Sequence, residues 1–221
     1  MRFDNRDCTP GVRAAGLLQS MYTVKQGVRI TLHKKIPIGG GLGGASSNAA
    51  TTLVALNKIW QLNLSCAQLR ALAVGLGADV PVFIHAHAAW AEGIGEQLTT
   101  IELPQYWYLV VNPFVQVSTA KLFADPQLTR DHPQIKICAP EPGQLGNAFE
   151  PLVRKRFPPV DAAFRWLEQH SKPFLTGTGA CVVAAFDQRA QAQALADQCP
   201  QQFEPHVARG YNQSQLAQYM D

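Results

Sequence analysis

Residues 39–48 read Gly-Gly-Gly-Leu-Gly-Gly-Ala-Ser-Ser-Asn, with five glycines in the first six positions. Glycines let successive backbone N–H groups crowd together around an anion, because no Cβ blocks the approach. Ala49, Leu53, Leu56 and Trp60 follow at the spacing of one helix face, so the loop opens a helix whose N-terminus adds partial positive charge. Ser46, Ser47 and Asn48 fall in the first turn, where hydroxyls reach phosphate oxygens or a magnesium ion. A plain connector is the competing reading, but so many glycines make a connector costly in chain entropy. Phosphate binding is the better reading.

Two familiar phosphate loops fit badly. No Gly-Lys-Ser/Thr closes the run, which excludes a Walker A loop. Gly39-x-Gly41-x-x-Gly44 does match the dinucleotide fingerprint, so the string alone permits a nicotinamide oxidoreductase. That fold needs an acidic residue about 20 positions on to hold the ribose, yet no Asp or Glu occurs between Ala45 and Ala78. Asp79, in Gly77-Ala78-Asp79-Val80-Pro81, has no acidic residue within ten positions on either side. Taken alone it reads as a helix cap. Thr176, Gly177, Thr178 and Gly179 form a tight turn. His85 and His87 alternate along a possible strand without a third metal ligand at matching spacing, and Cys181 has no assignable base, so all three read as structural.

The elements that must position these groups are legible in outline. Val28, Ile30 and Leu32 alternate with Arg29, Thr31 and His33, which predicts a strand over 28–32 leading into the glycine loop. Ser65 with Gln68 forms a capping-box pair ahead of Leu69, Leu72, Ala73 and Leu76, a helix stopped by Gly75 and Gly77. Residues 106–111 read as a buried strand, and 125–146, rich in Pro and charge, as a surface connection. Beyond it come helices over 149–157 and 160–170 separated by Pro158-Pro159, a strand over 181–186, and a helix over 188–198 stopped before Pro200. The alternation predicts an α+β fold with a small α+β layer in its last part.

Composition narrows the class of partner. Of 221 residues, 47% are hydrophobic and 16% charged, which excludes disorder by high charge and low hydrophobicity. A net charge of +3 is too small to predict a nucleic acid or an anionic membrane as partner. Five scattered cysteines without a Cys-x-x-Cys pair point away from a disulfide framework. No apolar run approaches the ~18 residues of a membrane span, so the expectation is a cytoplasmic protein with no nucleic acid or membrane partner.

Residues 37–50, Pro-Ile-Gly-Gly-Gly-Leu-Gly-Gly-Ala-Ser-Ser-Asn-Ala-Ala, resemble the phosphate loop of the GHMP kinases. Their wording is closest to the family branch that phosphorylates 4-diphosphocytidyl-2-C-methyl-D-erythritol in the non-mevalonate isoprenoid pathway. Residues 76–83 are similar to the family's catalytic aspartate motif, 91–96 to the segment after it, and 175–181 to its C-terminal glycine motif. The resemblance implies a two-domain GHMP kinase fold, with a ribosomal protein S5 domain 2-like N-terminal domain over 1–128 and a ferredoxin-like C-terminal domain over 129–221. It implies transfer of the γ-phosphoryl group of ATP, with Mg2+ as counter-ion, to the 2-hydroxyl of that small-molecule substrate. Pro37, Ile38, Gly39, Gly40, Gly41, Leu42, Gly43, Gly44, Ala45, Ser46, Ser47 and Asn48 would wrap the triphosphate, Asn5 would contact the adenine, and Asp79 would take the hydroxyl proton. Phe123 matches an aromatic residue that stacks on the cytosine, with Thr119 nearby, and Thr176, Gly177, Thr178 and Gly179 would close the site.

The family's opening strand with Ala-Lys-Leu-Asn and its Gly-Tyr-His segment have no match here, so N-terminal strands are missing from the pattern. The expectation is an N-terminally truncated fragment or a misplaced start, with the edge beside residues 28–32 left unpaired and activity belonging to a longer product. A monomer or homodimer is expected. A non-catalytic remnant is the second reading and the dinucleotide-binding oxidoreductase the third.

Overall fold

A computed structural model describes residues 9–130, 141–144 and 146–220. The chain folds into two compact units. The first comprises Met1–Lys34, Gly43–Glu102 and Asn212–Asp221; the second comprises Lys35–Leu42 and Leu103–Tyr211.

In the first unit, small residues let two helices approach closely. α1 (Pro10–Tyr22) begins with its proline in the first turn, where a missing N–H costs nothing, and buries Gly11, Ala14, Ala15 and Leu18. α2 (Gly44–Ile59) answers with buried Ala49, Ala50, Leu53, Val54 and Leu56. The approach leaves a Cβ on Gly11 only 3.0 Å from Thr52 Oγ1. α3 (Cys66–Val74) starts on the anticipated capping box: the Gln68 N–H donates to Ser65 Oγ, and Gln68 Oε1 accepts from the Ser65 N–H. α4 (Val80–His85) packs on α2 and α3, and a hairpin of β1 (Ala89–Glu92) and β2 (Gln97–Thr100) follows. The tail returns to this unit, where the Ala88 N–H donates to the Asn212 carbonyl and the Ser214 N–H to the Ala86 carbonyl, before a 3-10 turn over Gln215–Tyr219.

The second unit is built on one antiparallel sheet. Its elements are β3 (Trp107–Asn112), α5 (Thr119–Phe123), α6 (Glu150–Arg156), α7 (Pro158–Glu168), β4 (Phe174–Leu175), β5 (Val182–Phe186), α8 (Arg189–Ala196) and β6 (Glu204–Arg209), and the strand order is β4-β5-β3-β6. With α7 after β3 and α8 after β5, this is the split β-α-β-β-α-β arrangement of ferredoxin-like folds. Leu109 and Val111 of β3, with Val182 and Ala184 of β5, share a core with Val160, Ala163, Phe164 and Leu167 of α7. Period 2 in the strands and period 3.6 in the helix meet on one face.

Three sequence expectations need correction. Residues 28–32 are not a strand: Val28 packs against the first core, but Ile30 and Leu32 are 40% and 47% exposed. Alternation alone cannot make a strand, because its backbone groups need a ladder, and none runs beside this segment among the described residues. Pro158 and Pro159 do not separate helices but begin α7, at positions where proline is tolerated. His85 lies at the end of α4, a helix rather than a strand.

The capping box carries a measurable share of stability. Ser65→Ala removes the side-chain acceptor of the Gln68 N–H and is expected to cost about 1 kcal/mol, read as a lower midpoint in urea at unchanged slope; an unchanged midpoint contradicts it.

Candidate active site

In the second unit, the glycine loop is gripped by the hairpin between β4 and β5. The Gly39 carbonyl accepts the Ala180 N–H (3.1 Å), the Gly40 carbonyl accepts the Cys181 N–H (3.0 Å), and the Gly41 carbonyl accepts the Thr176 hydroxyl (3.1 Å). In a planar trans peptide the N–H of the next residue points opposite to the carbonyl. Holding three carbonyls on the hairpin therefore turns the N–H groups of Gly40, Gly41 and Leu42 away from it, and none meets a protein acceptor among the described residues. Glycine is required by the closeness of the fit. Gly41 has φ 73° and a Cβ there would overlap the Thr176 carbonyl, while a Cβ on Gly40 would lie 2.7 Å from Cys181 Sγ.

In the first unit, α2 begins without a cap. Its N-cap, Gly43, has φ 65° and makes no side-chain bond, so the N–H groups of Gly44, Ala45 and Ser46 keep the orphan donors of a helix start, with no acidic residue in the first turn. The hydroxyls of Ser46 and Ser47 have no partner among the described residues and suit an anion or its counter-ion. Gly43 sits over the Phe83 ring, where a Cβ would lie 2.6 Å from Cζ. This close approach ties the start of α2 to α4, the helix that carries Asp79.

Asp79 occupies the N-cap position of α4, yet it does not cap: it has αR geometry, no side-chain bond to the helix, and an exposed carboxylate. The carboxylate meets no hydrogen-bond or ion-pair partner among the described residues, which leaves it free for a ligand. Its backbone is braced from the hairpin, because Gly95 (φ 117°) leaves room for the Ala78 carbonyl, 2.8 Å from where a Cβ would stand. Gly93 and Glu96 shape the same turn, with the Ile94 N–H donating to Glu96 Oε2 (2.8 Å). The sequence holds a signal for this role, two glycines spaced for a tight turn, but not its target.

Two of the residues that the resemblance assigns to the substrate meet in the second unit. Thr119 Oγ1 lies 2.8 Å from Thr178 Oγ1. Phe123 is 58% exposed rather than core, and its ring stands edge-on to Phe149 at 5.0 Å. The Arg130 guanidinium donates to the Phe123 carbonyl (2.7 Å), capping the end of α5. Sequence reasoning missed Arg130 and Phe149, which lie outside every motif. Asn5 is outside the described residues.

His85 Nε2 is 2.9 Å from Thr100 Oγ1 and its Nδ1 3.4 Å from Arg70, and burial, with the Arg70 and His87 charges, lowers its pKa. No group of three potential metal ligands occurs among the described residues. Cys181 is fully buried, and burial, reinforced by the Glu204 charge, pushes its thiol up to about 12, the state of a packing residue rather than a nucleophile.

The sequence matches the family profile "GHMP kinases N terminal domain" over residues 12–87 and "GHMP kinases C terminal" over 121–205. This chain belongs to the GHMP kinase family. Curated members similar to it are named 4-diphosphocytidyl-2-C-methyl-D-erythritol kinase. The protein from Nitrosococcus oceani is 51% identical over 204 residues, which is 92% of this chain and 73% of that protein. Those from Alkalilimnicola ehrlichii (50%; 93% and 70%) and Dechloromonas aromatica (48%; 93% and 76%) are similarly close. A crystal structure of 4-(cytidine 5'-diphospho)-2C-methyl-D-erythritol kinase superposes with TM-score 0.78 at 27% identity, covering 94% of this chain and 80% of that one. Homoserine kinase from Cytophaga hutchinsonii shares the fold, with TM-score 0.64 at 17% identity over 97% and 79% of the two chains. The dinucleotide reading of the glycine run loses its footing in a GHMP kinase, since every strand pairing among the described residues is antiparallel.

Two outcomes follow from the loop geometry. Gly41→Ala forces a positive φ on a residue with a Cβ, at about 1–2 kcal/mol, and collides with the hairpin, so ATP affinity should fall roughly tenfold or more in calorimetric titration; wild-type affinity contradicts the loop's role. Alkylation of the native protein at pH 8 followed by peptide mapping should leave Cys181 unlabelled while half-exposed Cys66 reacts; equal labelling contradicts its packing role.

Proposed function

We propose that this GHMP kinase transfers the γ-phosphoryl group of ATP to the 2-hydroxyl of 4-diphosphocytidyl-2-C-methyl-D-erythritol. The observation that carries the reading is the glycine loop, whose Gly39, Gly40 and Gly41 carbonyls are bound to the hairpin and whose Gly40, Gly41 and Leu42 N–H groups meet no acceptor among the described residues. Phosphoryl transfer asks the protein for positioning and charge stabilisation more than covalent chemistry. Residues 37–48 supply it through their backbone donors, the start of α2 and the unpaired Ser46 and Ser47 hydroxyls. The same two hydroxyls fit Mg2+, which supplies further neutralisation of the triphosphate when bound. A base contact by Asn5 belongs to the same reading.

Asp79 is the general base. Its carboxylate takes the proton of the acceptor hydroxyl as the new O–P bond forms and the bond from the γ-phosphorus to the ADP oxygen breaks. A carboxylate with no partner among the described residues is available for that work, whereas a capping carboxylate would be spent on its helix. Phe123 provides an exposed ring for the cytosine face, worth roughly 1–3 kcal/mol per stacked base in comparable sites. Thr119 and Thr178, whose hydroxyls lie 2.8 Å apart, would provide polar contacts, and Thr176, Gly177 and Gly179 of the same turn would close the site. The boundary between the two family domains is kept at 128/129, the protein is read as a cytoplasmic monomer or homodimer, and among the described residues no helix is long and apolar enough to cross a membrane.

The decisive experiment is a coupled ADP-release assay on the chain with ATP and the cytidyl substrate. Asp79→Asn should lower kcat by about 10²–10⁴-fold while KM for ATP stays within about twofold. Full turnover by the variant overturns the base assignment, and ADP release unaffected by omission of the cytidyl substrate overturns the substrate.

A further inference from the structure

Asn147 belongs to no motif, yet its side-chain amide is fully used. Nδ2 donates to the Leu175 carbonyl (2.9 Å) and to the Gly177 carbonyl (2.7 Å), while Oδ1 accepts the Phe149 N–H (2.9 Å). The pattern fixes the amide's orientation: two carbonyls demand the nitrogen and one N–H demands the oxygen. On one side the residue spans the turn that contains Thr176, whose hydroxyl holds the Gly41 carbonyl and so directs the Leu42 N–H. On the other side it pins the backbone of Phe149, whose ring stands edge-on to Phe123.

We infer that Asn147 is a positioning residue that sets the phosphate-binding loop and the aromatic platform in one register. The inference rests on the reading of the loop as the ATP site and of Phe123 as the base-stacking ring. Residue type follows from the geometry. An aspartate would set a carboxylate against two carbonyl oxygens, a glutamine is one methylene too long for a side chain bridging two carbonyls two residues apart, and an alanine leaves both carbonyls and the Phe149 N–H without this partner. Thr176, whose hydroxyl holds the Gly41 carbonyl, and Phe149, whose ring meets Phe123, are the two arms. Among the described residues Asn147 alone hydrogen-bonds both to the carbonyls that flank Thr176 and to the Phe149 N–H.

The test compares calorimetric titrations of the full chain with ATP and, separately, with 4-diphosphocytidyl-2-C-methyl-D-erythritol. Thr176→Val should weaken ATP binding more than it weakens the cytidyl ligand, and Phe149→Leu should do the reverse. Asn147→Asp should weaken both, each by roughly tenfold, the factor that goes with the loss of a half-buried hydrogen bond. Asn147→Ser, which keeps one hydroxyl donor, serves if the aspartate variant does not fold, and should weaken both by a smaller factor. A folded Asn147 variant that binds both ligands as tightly as the wild type overturns the inference, as does one that loses thermal stability with both affinities unchanged. Wild-type protein that binds neither ligand overturns the kinase reading instead, and this inference with it.

Discussion

The attachment of three consecutive carbonyls in the glycine loop to the β4–β5 hairpin is the constraint on which the rest of the second unit depends. A glycine-rich loop free in solution would sample many conformations and present its donors to none in particular. Tying the carbonyls of Gly39, Gly40 and Gly41 to Ala180, Cys181 and Thr176 removes that freedom before any ligand arrives. The ordering cost is met during folding and not at binding, which is what makes a preorganised anion site effective. The hairpin can do this because it belongs to a packed sheet whose core, from Leu109 to Phe164, admits no slack.

Cys181 shows how tightly the loop is seated. Its thiol fills the space beneath Gly40, and a larger side chain on either residue would part the loop from the hairpin. Burial explains both its high pKa and its lack of chemistry. The same economy of space recurs in the first unit, where Gly43 lies on the Phe83 ring and Gly95 on the Ala78 carbonyl. In each case a glycine is kept because another group stands where its side chain would be: the Phe83 ring of α4 at the start of α2, and the Ala78 carbonyl next to Asp79.

The two family domains and the compact units follow different lines. β3 precedes the charged connection at 125–130 yet forms the middle of the second sheet, paired to β5 and β6, and the last ten residues return to the first unit. Strands recruit partners by register and apolar face, not by nearness in the chain. Residues 28–32 show the converse: their alternation is that of a strand, but no strand neighbours them among the described residues, so the pattern joins no ladder there, and Ile30 and Leu32 stay exposed.

Local chemistry was legible from residue order. The capping box at Ser65 and Gln68, the helix after the glycine loop and the buried strands depend on neighbours within a few positions, so a linear reading suffices for them. The glycine run and the motif around Asp79 stand out in the sequence for the same reason. Which carbonyls the hairpin holds, that Asp79 leaves its helix uncapped, that Phe123 is exposed and braced by Phe149 and Arg130, and that Asn147 joins two arms were decided only by tertiary structure. Those facts are contacts between residues tens of positions apart, such as Gly41 with Thr176, and their direction is set by packing that no local pattern encodes.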